Sequence, residues 1–213
     1  ATYAKIDYPW EKFNFGVIGM YASGADAKKT SASGLPGTSV AYIPGAAPTF
    51  SKDVDSYVVP PGSEAGAIFG ESVVFYSCWI NRGDSGIGNS NNYNQMGRGP
   101  VGGTWFAKLY GSYKVTPSLK LTLQGLYIGD TTQHGDTVGT SRKAGGTLLK
   151  DESYIGIEGD IIAELMIYKN LKLSTGLGYL WAGDALSHWN ATLGINEDPK
   201  NPWQWTTNLT YNF

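Results

Sequence analysis

The sequence is poor in the residues that carry most metal, redox and nucleophilic chemistry. Its 213 residues include one cysteine, Cys78, and two histidines, His134 and His188. A single thiol cannot close an internal disulfide. The histidines lack the close spacing of a metal-ligand pair, and no G-x-S-x-G, P-loop or C-x-x-C is present. No catalytic residue, metal ligand or cofactor is therefore expected. Charge is also sparse: 16 basic against 18 acidic side chains give a formal net charge of -2, with no cationic patch suited to nucleic acid. No apolar run reaches the 18 residues of a spanning helix. The longest apolar window, IEGDIIAELMI at 157–167, is broken by Glu158, Asp160 and Glu164, each expensive in lipid on a helix.

Glycine and aromatics are abundant instead, with 29 Gly, 14 Tyr, 7 Trp and 7 Phe, at a mean hydropathy of -0.22. The length suits one domain. The apolar residues alternate with polar ones at period 2, the signature of strands with two unlike faces. In the final WQWTTNLTYNF, Trp203, Trp205, Leu209, Tyr211 and Phe213 share one side, while Gln204, Thr206, Asn208 and Asn212 take the other. The same alternation marks 13–21, 104–114, 118–128, 152–168 and 171–182, and more weakly 1–8, for seven candidate strands. In 152–168, plain alternation puts Ile155, Ile157 and Ile161 on one face and Tyr154, Glu158, Asp160, Glu164 and Tyr168 on the other.

Connections are short at 9–12, 115–117 and 168–170, and long over 22–103, 129–151 and 183–202. LKLTLQGLYIGD at 119–130 and LKLSTGLGYLWAGD at 171–184 read as one repeated arm, each ending in Gly-Asp before a long loop. Such alternation of short and long loops fits an antiparallel transmembrane β-barrel with short turns at one rim. The 22–103 region holds an apolar island, AIFGESVVFYSCWI at 67–80, expected to fold back into the lumen or over its mouth. A hidden strand within 64–80 is the alternative, which would make eight.

With a final aromatic, Tyr211 and Phe213 on one face and this loop rhythm, the chain resembles the C-terminal portion of a Gram-negative outer-membrane porin. The resemblance is strongest over 104–213. It implies a water-filled diffusion channel for small hydrophilic solutes or ions, in the outer membrane, without enzymatic activity. The implied partners are lipid, lipopolysaccharide and the barrel-insertion machinery, with room for a homotrimer. Counting strands back from a periplasmic C-terminus puts Ala1 on the extracellular side. That parity implies an N-terminal barrel segment or second chain completing a larger barrel.

With apolar faces toward lipid, Lys5, Asp7, Lys108, Lys114, Lys120, Glu158, Asp160, Glu164 and Lys172 become pore-lining. Phe13, Tyr113, Tyr127, Tyr168, Tyr179, Trp181, Trp203, Tyr211 and Phe213 become an aromatic girdle, the last two also the insertion signal. Competing readings are a narrow structural or adhesive barrel, for which RGD at 82–84 is a weak pointer, and a soluble carbohydrate-binding sandwich. An enzyme with rim chemistry would need His134, Asp136 or His188 beside Asp130 or Asp184.

Overall fold

Strands form where the side chains alternate. The computed structural model describes residues 1–24, 29–30, 49–50, 71–76, 103–131, 152–190 and 192–212. In chain order the strands are β1 Thr2–Trp10, β2 Phe13–Tyr21, β3 Lys29–Thr30, β4 Thr49–Phe50, β5 Thr104–Lys114, β6 Leu119–Asp130, β7 Tyr154–Tyr168, β8 Leu171–Ala182, β9 His188–Asn190, β10 Ile195–Glu197 and β11 Trp203–Tyr211. Seven of them make one antiparallel sheet in the order β1-β2-β5-β6-β7-β8-β11. β9 with β10, and β3 with β4, form separate two-stranded pairs.

Three tight turns serve the sheet. Glu11 takes a left-handed conformation (φ 51°) to close the β1–β2 hairpin. Between β5 and β6, Thr116 Oγ1 accepts the backbone N–H of Leu119 at 3.0 Å. The β7–β8 turn sits at Lys169 and Asn170.

The expected barrel does not form. β1 and β11 are the two edges of an open sheet, and no ladder joins them among the described residues. Loop rhythm misleads here because it reports the order of neighbouring strands. Closure is a separate property, requiring the two outermost strands to meet. The diffusion channel, the outer-membrane location, and the lipid, lipopolysaccharide, insertion-machinery and homotrimer partners all depended on closure and go with it. So does a barrel-completing segment or second chain, since the parity argument about Ala1 assumed a membrane orientation. The narrow-barrel and rim-enzyme variants required the same closure. An additional strand is also absent from 71–76, which forms turns and bends; the remainder of 64–80 lies outside the described residues.

One face of the sheet is apolar and open. The other carries the polar side chains and, at the end remote from the tight turns, the core: Ile18, Met20, Phe106, Leu126, Ile128 and Leu180, covered by Val74 and Tyr76. The sheet is thus covered on its more polar side, the reverse of the usual arrangement.

Two bulges in β7 break plain alternation. The register with β6 shifts between Ile128 and Gly129, so that Ile128 faces Gly156 while Gly129 faces Tyr154. This sends Ile155 into the core, where it is fully buried, and Tyr154 to the apolar face, where its ring lies 5.3 Å from that of Tyr127. The second shift, between Met166 and Tyr168, pairs Tyr168 with Leu171 and moves it to the apolar face as well. An added residue inverts every side chain beyond it, which period-2 reading cannot foresee.

Gly156 makes the first bulge possible. Its φ of 151° is disfavoured for other residues, and a Cβ there would run into the carbonyl oxygen of Trp181. Gly156→Ala is expected to cost about 2–3 kcal/mol in urea unfolding. Gly19→Ala, where a Cβ meets nothing within 4 Å, should stay within about 1 kcal/mol of wild type.

Candidate functional site

Neighbouring strands place Lys108 of β5, Gln124 of β6 and Asp160 of β7 on the covered face, with Glu158 two residues before Asp160. Gly178 of β8 is opposite Asp160. A Cβ at Gly178 would collide with Asp160 Oδ1 and with Val73 and Val74, so the missing side chain makes room for both carboxylate and turn.

The turn 71–76 docks onto these carboxylates. Glu158 Oε1 accepts the N–H of Val74 at 2.6 Å; Glu158 Oε2 accepts the N–H of Phe75 at 2.8 Å and the hydroxyl of Ser72 at 3.0 Å. Asp160 Oδ2 accepts the N–H of Val73 at 3.2 Å and the Gln124 side-chain amide at 2.8 Å. Lys108 Nζ binds the Glu71 carboxylate at 2.5 Å and the Glu71 carbonyl at 2.9 Å. Tyr76 closes the motif, donating its N–H to Ser72 Oγ at 3.0 Å and its hydroxyl to Thr104 Oγ1 at 2.9 Å.

Burial is nearly complete, with Glu158 0% and Asp160 1% exposed. Burial first, and then the negative charge of Asp160, push Glu158 up to about 8, against the opposing pull of the Phe75 and Val74 N–H groups. Asp160 is also raised by burial, opposed chiefly by Gln124. Two carboxylates in one dry site, with a single ammonium among the described residues that is itself paired to Glu71, therefore retain a proton between them. Apart from the proton shared with Glu158, Asp160 Oδ1 has no hydrogen-bond partner among the described residues. Glu158's oxygens accept from three donors of the turn, so the pair anchors that segment of backbone.

The other charges of this face form smaller groups. Asp7 binds Lys5 at 3.1 Å, the Asn14 amide at 3.1 Å and the Tyr110 hydroxyl. Tyr110 reaches across β2 because Gly16, in its path, has no side chain. Those partners, Tyr110 foremost, hold Asp7 below the usual carboxylate range. Glu164 bridges Lys120 and Lys172, the latter at 3.1 Å. Burial alone would raise it, but the two ammonium groups prevail and hold it low. Lys114 stands opposite Lys120.

All nine residues expected to line a pore thus share one face, in separate groups, and the pore itself is gone with the barrel. Of the expected girdle residues, Phe13, Tyr113, Tyr127, Tyr168, Tyr179, Trp181, Trp203 and Tyr211 lie on the apolar face. Phe13 and Tyr113 meet at 4.6 Å and Tyr179 and Trp181 at 4.8 Å. A membrane-interface role for them no longer has a barrel to support it. Phe213, His134, Asp136 and the RGD tripeptide lie outside the described residues. Sequence reading missed Glu71, Ser72, Gln124 and Tyr110; the only signal was the polar Glu71 and Ser72 inside an apolar island.

No family model, curated protein or solved structure matches the chain.

Removing Glu158 strands three donors in a dry site. Glu158→Ala should therefore cost about 3 kcal/mol or more in chemical denaturation. Glu164→Gln, at a partly exposed site, should cost less than about 1 kcal/mol at neutral pH. Because Glu164 is held low, its contribution is present above the ordinary carboxylate pKa. The difference between wild type and Glu164→Gln should accordingly shrink as the pH falls below the ordinary carboxylate range.

Proposed function

We propose that this chain is a non-enzymatic structural module, working as a face-to-face pair in which the apolar sheet face of one copy covers that of another. The observation that carries this reading is the face itself. It runs across all seven sheet strands, and residues such as Ile6 and Trp205 are 73% and 71% exposed. Seven strands about 4.8 Å apart and about 30 Å long present about 1,000 Å². That far exceeds the apolar patch an isolated protein leaves in water, and matches the roughly 800 Å² per partner of a stable interface.

The chemistry of the face favours a dry contact. Its strand positions carry no charged side chain among the described residues. Polar groups within it satisfy one another: the Trp205 indole N–H donates to Thr175 Oγ1 at 2.8 Å, and Thr175 meets Thr207 at 2.9 Å. A surface facing water gains little from such internal pairing, whereas a buried one requires it. A second copy supplies an uncharged surface of the same area, and sheets pack face to face about 10 Å apart. A shallow apolar hollow of about 1040 Å³ between Tyr8, Phe15, Leu109 and Leu123, floored by Gly111 and Gly125, offers space for side chains of the facing sheet. The absence of a reaction is supported by the buried state of Glu158 and Asp160.

Sedimentation of the purified chain tests the proposal. Wild type should be dimeric at micromolar concentration. Leu123→Lys, which puts a charge in the middle of the contact, should weaken the dimer by at least about 100-fold, while Lys114→Gln on the opposite face should leave it unchanged. A chain that stays monomeric at about 100 µM, or a dimer indifferent to Leu123→Lys, would overturn the reading.

A further inference from the structure

The covered face holds a device that the assembly reading does not use. We propose that Glu158 and Asp160 form a proton-operated latch: the turn 71–76 stays docked while the two carboxylates share a proton, and is released when both are ionised.

The geometry carries the argument. Four donors from four consecutive residues, the Ser72 hydroxyl and the N–H groups of Val73, Val74 and Phe75, converge on two carboxylates of one strand. Docking is what buries those carboxylates, and it also seats Val74 and Tyr76 in the core. The groups facing the pair can be named element by element. The turn contributes Glu71 and Tyr76; β5 contributes Lys108; β6 contributes Gln124, which does not titrate; β8 contributes Gly178 and Leu180; β2 contributes Ile18 and Met20. Among the described residues one ammonium therefore faces three carboxylates, and it is already bound to Glu71. Doubly ionised, Glu158 and Asp160 would hold two negative charges in a dry site, with no cation among the described residues beyond the Lys108 already bound to Glu71.

The sign follows from burial. Glu158 is raised to about 8 when docked and returns to the ordinary carboxylate range when the turn lifts and water enters. A group whose docked pKa is raised contributes stability fully below its released pKa and loses it as the pH rises through the docked one. The latch therefore closes on the acid side and opens on the alkaline side. Burial pushes the Tyr76 phenol up as well, so it keeps its proton through this range.

Hydrogen exchange of the full-length chain tests the proposal, read as protection factors for Val73, Val74 and Phe75 so that the intrinsic pH dependence of exchange is removed. In the wild type, protection should fall about 10-fold between pH 7 and pH 9, while the β8 amides of Leu177 and Tyr179 keep theirs. Glu158→Gln cannot ionise, so its protection, lower at the outset, should change less than about twofold over that window. Asp160→Asn removes the neighbouring charge and covers the case in which Glu158→Gln fails to dock: its fall should shrink below about threefold. Flat wild-type protection, or a 10-fold fall retained in whichever variant still docks, would overturn the latch.

Discussion

The docking of the turn 71–76 over the core depends above all on one buried carboxylate. Glu158 sits in the middle of a sheet face with two oxygens and three donors, and all three donors come from the turn 71–76. Without that grip the turn keeps only the Val73 bond to Asp160 and the outer ties of Glu71 and Tyr76. Val74 and Tyr76 would then leave the core, exposing Phe106, Leu126 and Leu180 beneath them. An apolar residue at 158 could pack against Val74, but it could not satisfy the backbone N–H groups that the turn brings with it. The carboxylate is tolerated in a dry place because the turn supplies polar hydrogens there.

The two faces solve opposite problems. The covered face mixes apolar and charged side chains, and is held by directed bonds from a short segment of backbone. Such contacts fix position and respond to protonation. The open face has almost no directed groups, only aliphatic and aromatic bulk, and contact with it is governed by area and shape. One surface is suited to a specific intramolecular attachment, the other to an extensive and non-directional one. Glycine serves both: Gly178 admits the turn on the covered side, while Gly111 and Gly125 hollow out the open side.

Strand positions and facing were largely legible in the sequence, because alternation of residues such as Leu119, Leu121 and Leu123 with Lys120 and Thr122 is a local property. Three things were not legible, each for a definite physical reason. Whether β1 meets β11 depends on twist and stagger accumulated over seven strands, and no local pattern reports that sum. The bulge at Gly156 inverts Tyr154 and Ile155, and its cause is one backbone dihedral angle. The grip on Glu158 comes mainly from backbone N–H groups, which every residue except proline possesses, so no side-chain motif announced it. The carboxylates could be picked out as unusual, but what they hold could not.

Tyr110 gives the edge of the sheet a mechanical property. β1 is exposed on both sides and has a single neighbour among the described strands, the kind of strand that peels away one residue at a time under load. Across the glycine gap at position 16, the Tyr110 hydroxyl ties Asp7 directly to the third strand from the edge. A force that unzips β1 from its first residue thus meets a cross-tie at Asp7 in parallel with the ladder, and part of the load passes over β2 into β5. Peeling of the edge strand from its first residue would then be resisted at Asp7.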